Sequence, residues 1–236
     1  MKHVWFKDIE ELHTESLMSV YSHVTSKGEP IQTILDKLFQ EKRNGVFVEL
    51  GGYDGLFQSN TAFLEFERDW TGVLIEPSPE EFTRCKQNRP KSQCFQYACV
   101  DSSYPNQTVE GDFYGSPMAS VDSTRLANRQ KISVPAKTLS EIISMANITQ
   151  PIDFLSLDVE GYELNVLKGL DFTIHRPNVL LIEIYTHSFD AIQTFLIEKG
   201  YKFITNLTNY NPIDNPHWDG THNDYLFVNT IFTQSP

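Results

Sequence analysis

Residues 46–55 read VFVELGGYDG. A short β-branched run, VFVEL (46–50), meets glycines at 51, 52 and 55. NTAFLEFERDW (60–70) follows and has the look of a helix. Strand, glycine turn and helix form the opening unit of a doubly wound α/β sheet, in which ligands bind beyond the carboxyl ends of the strands. Gly51 permits a tight turn and close approach by a ligand, and Gly55 lets the helix begin near the strand. Glu49 places a carboxylate at the head of the turn. A dinucleotide site would carry G-x-G-x-x-G here, with phosphates on the helix N-terminus. The sequence has E-x-G-x-x-x-G instead, and an acid suits a bound amino group better than a pyrophosphate. Taken alone, such a turn is also an ordinary strand–helix connection.

The next segments extend the pattern. GVLIEP (72–77) reads as a second strand ending in Glu76, where doubly wound folds set an acid to bind ribose hydroxyls. Pro79 sits where a helix can begin, and Gln93 to Val100 reads as a third strand. IDFLSLDV and NVLLIEIY (178–185) are continuous apolar strands, separated by the helical ELNVLKGL. A helix over 188–199 closes at Gly200. YKFIT and YLFVNT bracket the polar loop 206–224 and suggest an antiparallel edge hairpin. Continuous apolar strands alternating with helices indicate a parallel sheet covered on both faces. Residues 101–137 break the alternation with short extra strands, in VEGDFYG and KISVPAKT, and a helix runs from Leu139 to about Ala146. Residues 1–44 read as a helical extension with Ile31, Ile34, Leu35 and Leu38 at helical spacing. The single domain occupies 45–236.

A third acidic stretch is LSLDVEGYE (155–163). Asp158, Glu160 and Glu163 crowd the end of what ought to be a central strand. Burying such acids together is costly unless something uses them. Glu163 fits a capping role in the first helical turn, which leaves Asp158 and Glu160 as site candidates.

Composition narrows the function classes. The chain has 236 residues, 40% of them hydrophobic, and a formal net charge of −12. A phosphate backbone would be repelled without a cluster of bases. The densest basic run, Arg84, Lys86, Arg89 and Lys91, reads as a solvated helix face, so nucleic acid is not expected as a partner. No run of apolar residues is long enough to span a membrane. The acid-rich N-terminus does not resemble a signal or transit peptide. The three cysteines, Cys85, Cys94 and Cys99, lack paired motif spacing, so a reduced, cytoplasmic protein is expected. His217, Asp219, His222 and Asp224 in HWDGTHND match no standard metal spacing, and no metal is expected.

Together, VELGGYDG with SNT (59–61), WTGVLIEP (70–77) and DFLSLDVEGYELNVLKGLDF (153–172) resemble the FkbM family of S-adenosylmethionine (SAM)-dependent methyltransferases, and NDYLFVN (223–229) is similar to its last strand. The resemblance implies a Rossmann-like class I fold, a mostly parallel seven-stranded sheet with helices on both faces and an antiparallel edge hairpin. It also implies SAM as methyl donor and O-methylation of a hydroxyl on a sugar or natural-product alcohol. By position, Glu49, Gly51 and Gly55 match the SAM turn, Ser59 and Asn60 the start of the next helix, and Glu76 the ribose acid. Asp158, Glu160 and Glu163 match the acidic motif. Ser156 stands where many members carry a lysine, and the first 44 residues show little likeness.

Methylating an aliphatic hydroxyl requires removing its proton. Asp158 is the leading base candidate, with Glu160 and His187 as alternates. The acceptor is expected to be a saccharide or similar polyol in a cleft roofed by 101–137 and 206–224, whose Tyr104, Phe113, Tyr114, Tyr210 and Trp218 can stack on sugar faces. The alternative is a non-catalytic methyltransferase-like module that binds a glycan or a protein partner. The charge balance carries its own test. A gel-shift titration is expected to show no submicromolar binding of DNA or RNA that weakens steeply with salt, and such binding would overturn the electrostatic reading.

Overall fold

The computed structural model describes residues 20–111, 113, 131–216 and 218–230. The helical reading of residues 1–19 lies outside them, as do Tyr114 and His217. In chain order the described elements are α1 (Ile31–Leu38), β1 (Val46–Leu50), α2 (Ala62–Arg68), β2 (Thr71–Ile75), α3 (Pro79–Asn88), β3 (Gln93–Phe95), β4 (Ala98–Val100), β5 (Thr108–Gly111), β6 (Ile132–Thr138), α4 (Leu139–Met145), β7 (Phe154–Leu157), α5 (Glu163–Lys168), β8 (Val179–Tyr185), α6 (Phe189–Glu198), β9 (Tyr201–Asn206) and β10 (His222–Asn229), with a short 3₁₀ turn at Thr186–Ser188.

Seven strands form one sheet in the order β3-β2-β1-β7-β8-β10-β9. Pairing is parallel from β3 through β8. The last strand, β10, runs antiparallel between β8 and β9. The expected class I sheet and its antiparallel edge are both present. Central strands buried on both faces are near-continuous apolar runs, and all residues of β1, β7 and β8 are buried, with Glu49, Ser156 and Glu183 as the polar exceptions.

Alternation along the strands sends side chains to two cores. Val48, Leu50, Leu155, Leu157, Leu180 and Ile182 pack beneath α4, α5 and α6. Phe47, Phe154, Leu181 and Leu226 pack on the other face with Ile31, Leu35, Phe63 and Trp70. The described part of the N-terminal extension is therefore built into the domain core. Its only helix is α1, and residues 24 and 30 bridge as a small antiparallel turn before it.

The expected third strand is two strands. Gln93–Phe95 pairs with β2, and Ala98–Val100 pairs with β6 in a second sheet of order β4-β6-β5. The reason is the edge: beyond β3 the main sheet offers no further partner, and the chain turns away to one that β6 supplies. The two extra strands expected in 101–137 are β5 and β6, paired antiparallel. Their small core holds Ala98, Val100, Val109, Phe113 and Val134. Among the described residues no helix is long and apolar enough to cross a membrane.

Candidate active site

The turn after β1 is shaped by what glycine lacks. Gly51 has φ +77°, and a Cβ there would lie 1.9 Å from the carbonyl oxygen of Asp158. The turn thus presses against the end of β7, while the Gly51 and Gly52 N–H groups donate to the Ile75 carbonyl at 3.1 and 3.2 Å. Gly55, with φ +85°, serves a purpose other than the expected one. The helix starts only at Ala62, and a Cβ on Gly55 would lie 2.7 Å from Cγ of Arg89.

Arg89 corrects the reading of its segment as a solvated face, for it is fully buried. Its guanidinium donates to Glu65 (2.8 Å), the Gly55 carbonyl (2.9 Å), Ser59 Oγ (3.1 Å) and Thr61 Oγ1 (2.9 Å), and lies 3.4 Å from Glu49. Glu49 is buried with it. Its carboxylate accepts from Ser59 Oγ at 2.9 Å, the Asn60 N–H at 2.8 Å and Thr61 Oγ1 at 2.6 Å. Glu49, Ser59 and Asn60 therefore come together, but beneath the turn, and none of the three lines the cleft. Asn60 Nδ2 donates to Ser156 Oγ at 3.0 Å, while its Oδ1 has no hydrogen-bond partner.

A cleft of about 610 Å³ opens above the strand ends, lined by Gly51, Tyr53, Glu76, Phe113, Asp158 and Glu160 among others. Glu76 is fixed by the Tyr53 and Ser78 N–H groups, one to each carboxylate oxygen, both at 2.8 Å. Each oxygen keeps acceptor capacity beyond its one bond. Burial raises the Glu76 carboxyl to about 7, against those two hydrogen bonds and helped by the charge of Glu81.

Across the cleft the acids gather. Leu157 pairs with Ile182, so one step further Asp158 stands beside Glu183, and Asp224 pairs with Glu183 from the other side. Asp158, Glu160 and Glu183 each bring a carboxylate oxygen to within 4.8 Å of the others. Burial, then the neighbouring acids, raises Asp158 and Glu183 well above the carboxylate range. Glu160 has φ +58°, and its Oε2 accepts from the Tyr185 hydroxyl at 2.8 Å. Glu163 clamps the turn by accepting from the Val159 and Gly161 N–H groups at 3.3 and 2.8 Å. His187, by contrast, is exposed on the 3₁₀ turn, its ring 5.9 Å from that of Tyr185, and it does not line the cleft.

Glu183 and its neighbour His222, 3.4 Å away, were not singled out together by the sequence. The available signal was a lone acid inside the apolar NVLLIEIY. Of the expected roof aromatics that are described, Phe113 lines the cleft. Tyr104, Tyr210 and Trp218 instead hydrogen-bond to the carbonyls of Thr108, Val24 and His222 and pin their own loops.

Comparison with known proteins places the chain in the FkbM methyltransferase family. The profile of the Methyltransferase FkbM domain matches residues 49–203, well over half of the chain. The chain is 25% identical over 139 residues to the hexuronic acid methyltransferase AglP of Haloferax volcanii, a match covering 58% of this chain and 56% of that protein. It is 24% identical to Methyltransferase 1 of Beauveria bassiana, covering 87% of this chain and 94% of that one. Among solved structures it is similar to the Aeropyrum pernix fibrillarin with natively bound S-adenosyl-L-methionine, at 12% identity and a TM-score of 0.47, covering 84% of this chain and 73% of that chain.

The buried Arg89 yields a stability prediction. Arg89→Ala leaves Glu65 and Glu49 buried without their cation, and is expected to cost about 3–5 kcal/mol. Urea unfolding of the variant checks this; a loss under about 1 kcal/mol, the size of an exposed pair, would show that the guanidinium is not what holds the turn.

Proposed function

From the chain's membership of the FkbM methyltransferase family, together with the cleft's geometry, we propose that it transfers a methyl group from SAM to a hydroxyl of a saccharide or a similar polyol or natural-product acceptor. The observation that carries this reading is that Glu76 and the Asp158–Glu160 pair face one cleft from opposite sides of the Gly51 turn.

The residues present fit SAM. Glu76 has carboxylate acceptor capacity for the ribose hydroxyls, and Gly51 leaves the turn without a side chain. Glu49, with Ser59 and Asn60, holds the shape of the turn from below. SAM supplies an electrophilic methyl on a sulfonium. The protein's part is to orient the acceptor hydroxyl, exclude water and receive its proton. Asp158 is the leading acceptor of that proton because it lines the cleft and its Oδ1 has no hydrogen-bond partner. Glu160 is next. His187 is the least favoured, standing exposed outside the cleft. The hexuronic acid methyltransferase relative supports a saccharide acceptor.

Two measurements test the proposal. In calorimetry with NAD as control, Glu76→Ala should lose roughly 2–4 kcal/mol of SAM binding. The free protein's Glu76 titrates at about 7, and hydroxyl donors favour its ionised form. SAM affinity is therefore expected to be flat above that pH and to fall below it, by up to about tenfold per pH unit, with Glu76→Gln removing the slope. Unchanged affinity in both variants would take Glu76 out of the site. Asp158→Asn should keep the fold and SAM binding yet lose roughly 10²–10⁴-fold in turnover, assayed first with hexuronic-acid-containing saccharides. Near-normal turnover would move the role to Glu160. SAM binding without turnover on any saccharide or polyol would favour the non-catalytic binding module.

A further inference from the structure

Three carboxylates converge at the ends of β7 and β8. Asp158, Glu160 and Glu183 each place an oxygen within 4.8 Å of the other two. Two of these acids have a buried oxygen that no donor group satisfies, Asp158 Oδ1 and Glu183 Oε2, and their side chains lie within hydrogen-bonding reach of each other, a contact that needs a shared proton or a cation between them. The Glu183 side chain is only 8% exposed. Among the described residues, neither Asp158 nor Glu183 is ion-paired with a lysine or arginine, and the nearest basic group is His222, 3.4 Å from Glu183 Oε1. Strand register enforces the crowding, since Asp224 pairs with Glu183 and Leu157–Ile182 sets Asp158 alongside it. Like charges side by side on neighbouring strands are unfavourable, and a buried carboxylate oxygen without a partner is more so.

We propose that Asp158, Glu160 and Glu183 are the ligands of one divalent, oxygen-preferring cation of the Mg²⁺ or Mn²⁺ class. Three carboxylate oxygens make a hard donor set, and such ions retain water or a substrate hydroxyl at their remaining positions. Asp158 and Glu160 line the cleft while Glu183 lies behind them, so the open positions face the acceptor. The Tyr185 hydroxyl, donating to Glu160 Oε2 at 2.8 Å, fixes one ligand as outer-shell partners do. The site differs from the loop set His217, Asp219, His222 and Asp224 considered in the sequence. Of that set His222 contacts Glu183 and Asp224 pairs with it across the strands, while His217 lies outside the described residues.

The test uses the full chain, with neither SAM nor acceptor present, so that it stands or falls apart from methyl transfer. Mn²⁺ binding is followed by electron paramagnetic resonance and by the shift in melting temperature. The wild type should bind one Mn²⁺ per chain, with Mg²⁺ competing, and melt higher when loaded. Asp158→Asn and Glu183→Gln should each weaken binding by roughly 10–100-fold or more and lose the Mn²⁺-dependent shift. Metal-free Glu183→Gln is expected to melt no lower than the metal-free wild type, because it relieves like-charge repulsion, which separates lost ligation from lost folding. If Glu183→Gln does not fold, Asp158→Asn and Glu160→Gln carry the same comparison. The proposal is overturned by the absence of saturable Mn²⁺ binding to the wild type up to about 1 mM, or by equal affinity in the wild type and the folded variants.

Discussion

Arg89 reaches from the end of α3 under the loop that follows β1. There its guanidinium bonds Glu65, Ser59, Thr61 and the Gly55 carbonyl, and lies against Glu49. It joins the first strand, the glycine turn, the start of α2 and the end of α3. A fully buried charge is tolerable only when its hydrogen bonds are satisfied on all sides, and here the satisfying groups are the ones that shape the edge of the cleft. With the loop held from below, Gly51 closes on the Asp158 carbonyl and the Tyr53 N–H reaches Glu76. The position of the cleft wall therefore depends on an ion pair that never meets the ligand.

The two halves of the strand-end edge are balanced differently. Beneath the turn, Glu49 and Glu65 share one guanidinium and several hydroxyl and amide donors. On the β7–β8 side, Asp158, Glu183 and Asp224 lie in a row across three strands, and among the described residues His222 is the basic group seen beside them. The first half is complete in itself and shapes the loop. The second has oxygens left over, which is the condition of a site that binds something positive or donates protons into it.

The contrast also explains which parts of the protein were legible in its sequence. Apolar runs broken by glycine marked the strands, because a central parallel strand covered on both faces is apolar along most of its length. Glu76, Asp158 and Glu160 were readable as acids at strand ends, and all three face the cleft. Glu49 carries the same local signature but turns inward, since its partner Arg89 lies 40 residues away and looks in sequence like one base in a solvated run. The break between β3 and β4 was hidden for a related reason: QCF and ACV have the same β character, and the partner that draws the second away, β6, lies more than thirty residues further on. Glu183 needed the strand register to show its neighbours. In each case what was missing was a contact between distant segments, not a local preference.

The acidic row also constrains the acceptor. Asp158 has two oxygens, so one can accept a proton from a hydroxyl while the other is a ligand. A neutral hydroxyl meets this floor as a donor and is attracted to it with or without a cation. An acceptor that carries its own carboxylate, as a hexuronic acid does, would add another negative group beside Asp158 and Glu183, which burial and neighbouring acids already hold above the carboxylate range. In a partly desolvated cleft that repulsion is stronger than in water. A divalent ion held by Asp158, Glu160 and Glu183 would offset that repulsion and would supply Lewis acidity to a nearby hydroxyl. If the proposed cation site and acceptor class hold, acceptor charge and cation occupancy would be linked through the same residues: neutral polyols would fit either state of the floor, whereas anionic sugars would require the occupied one.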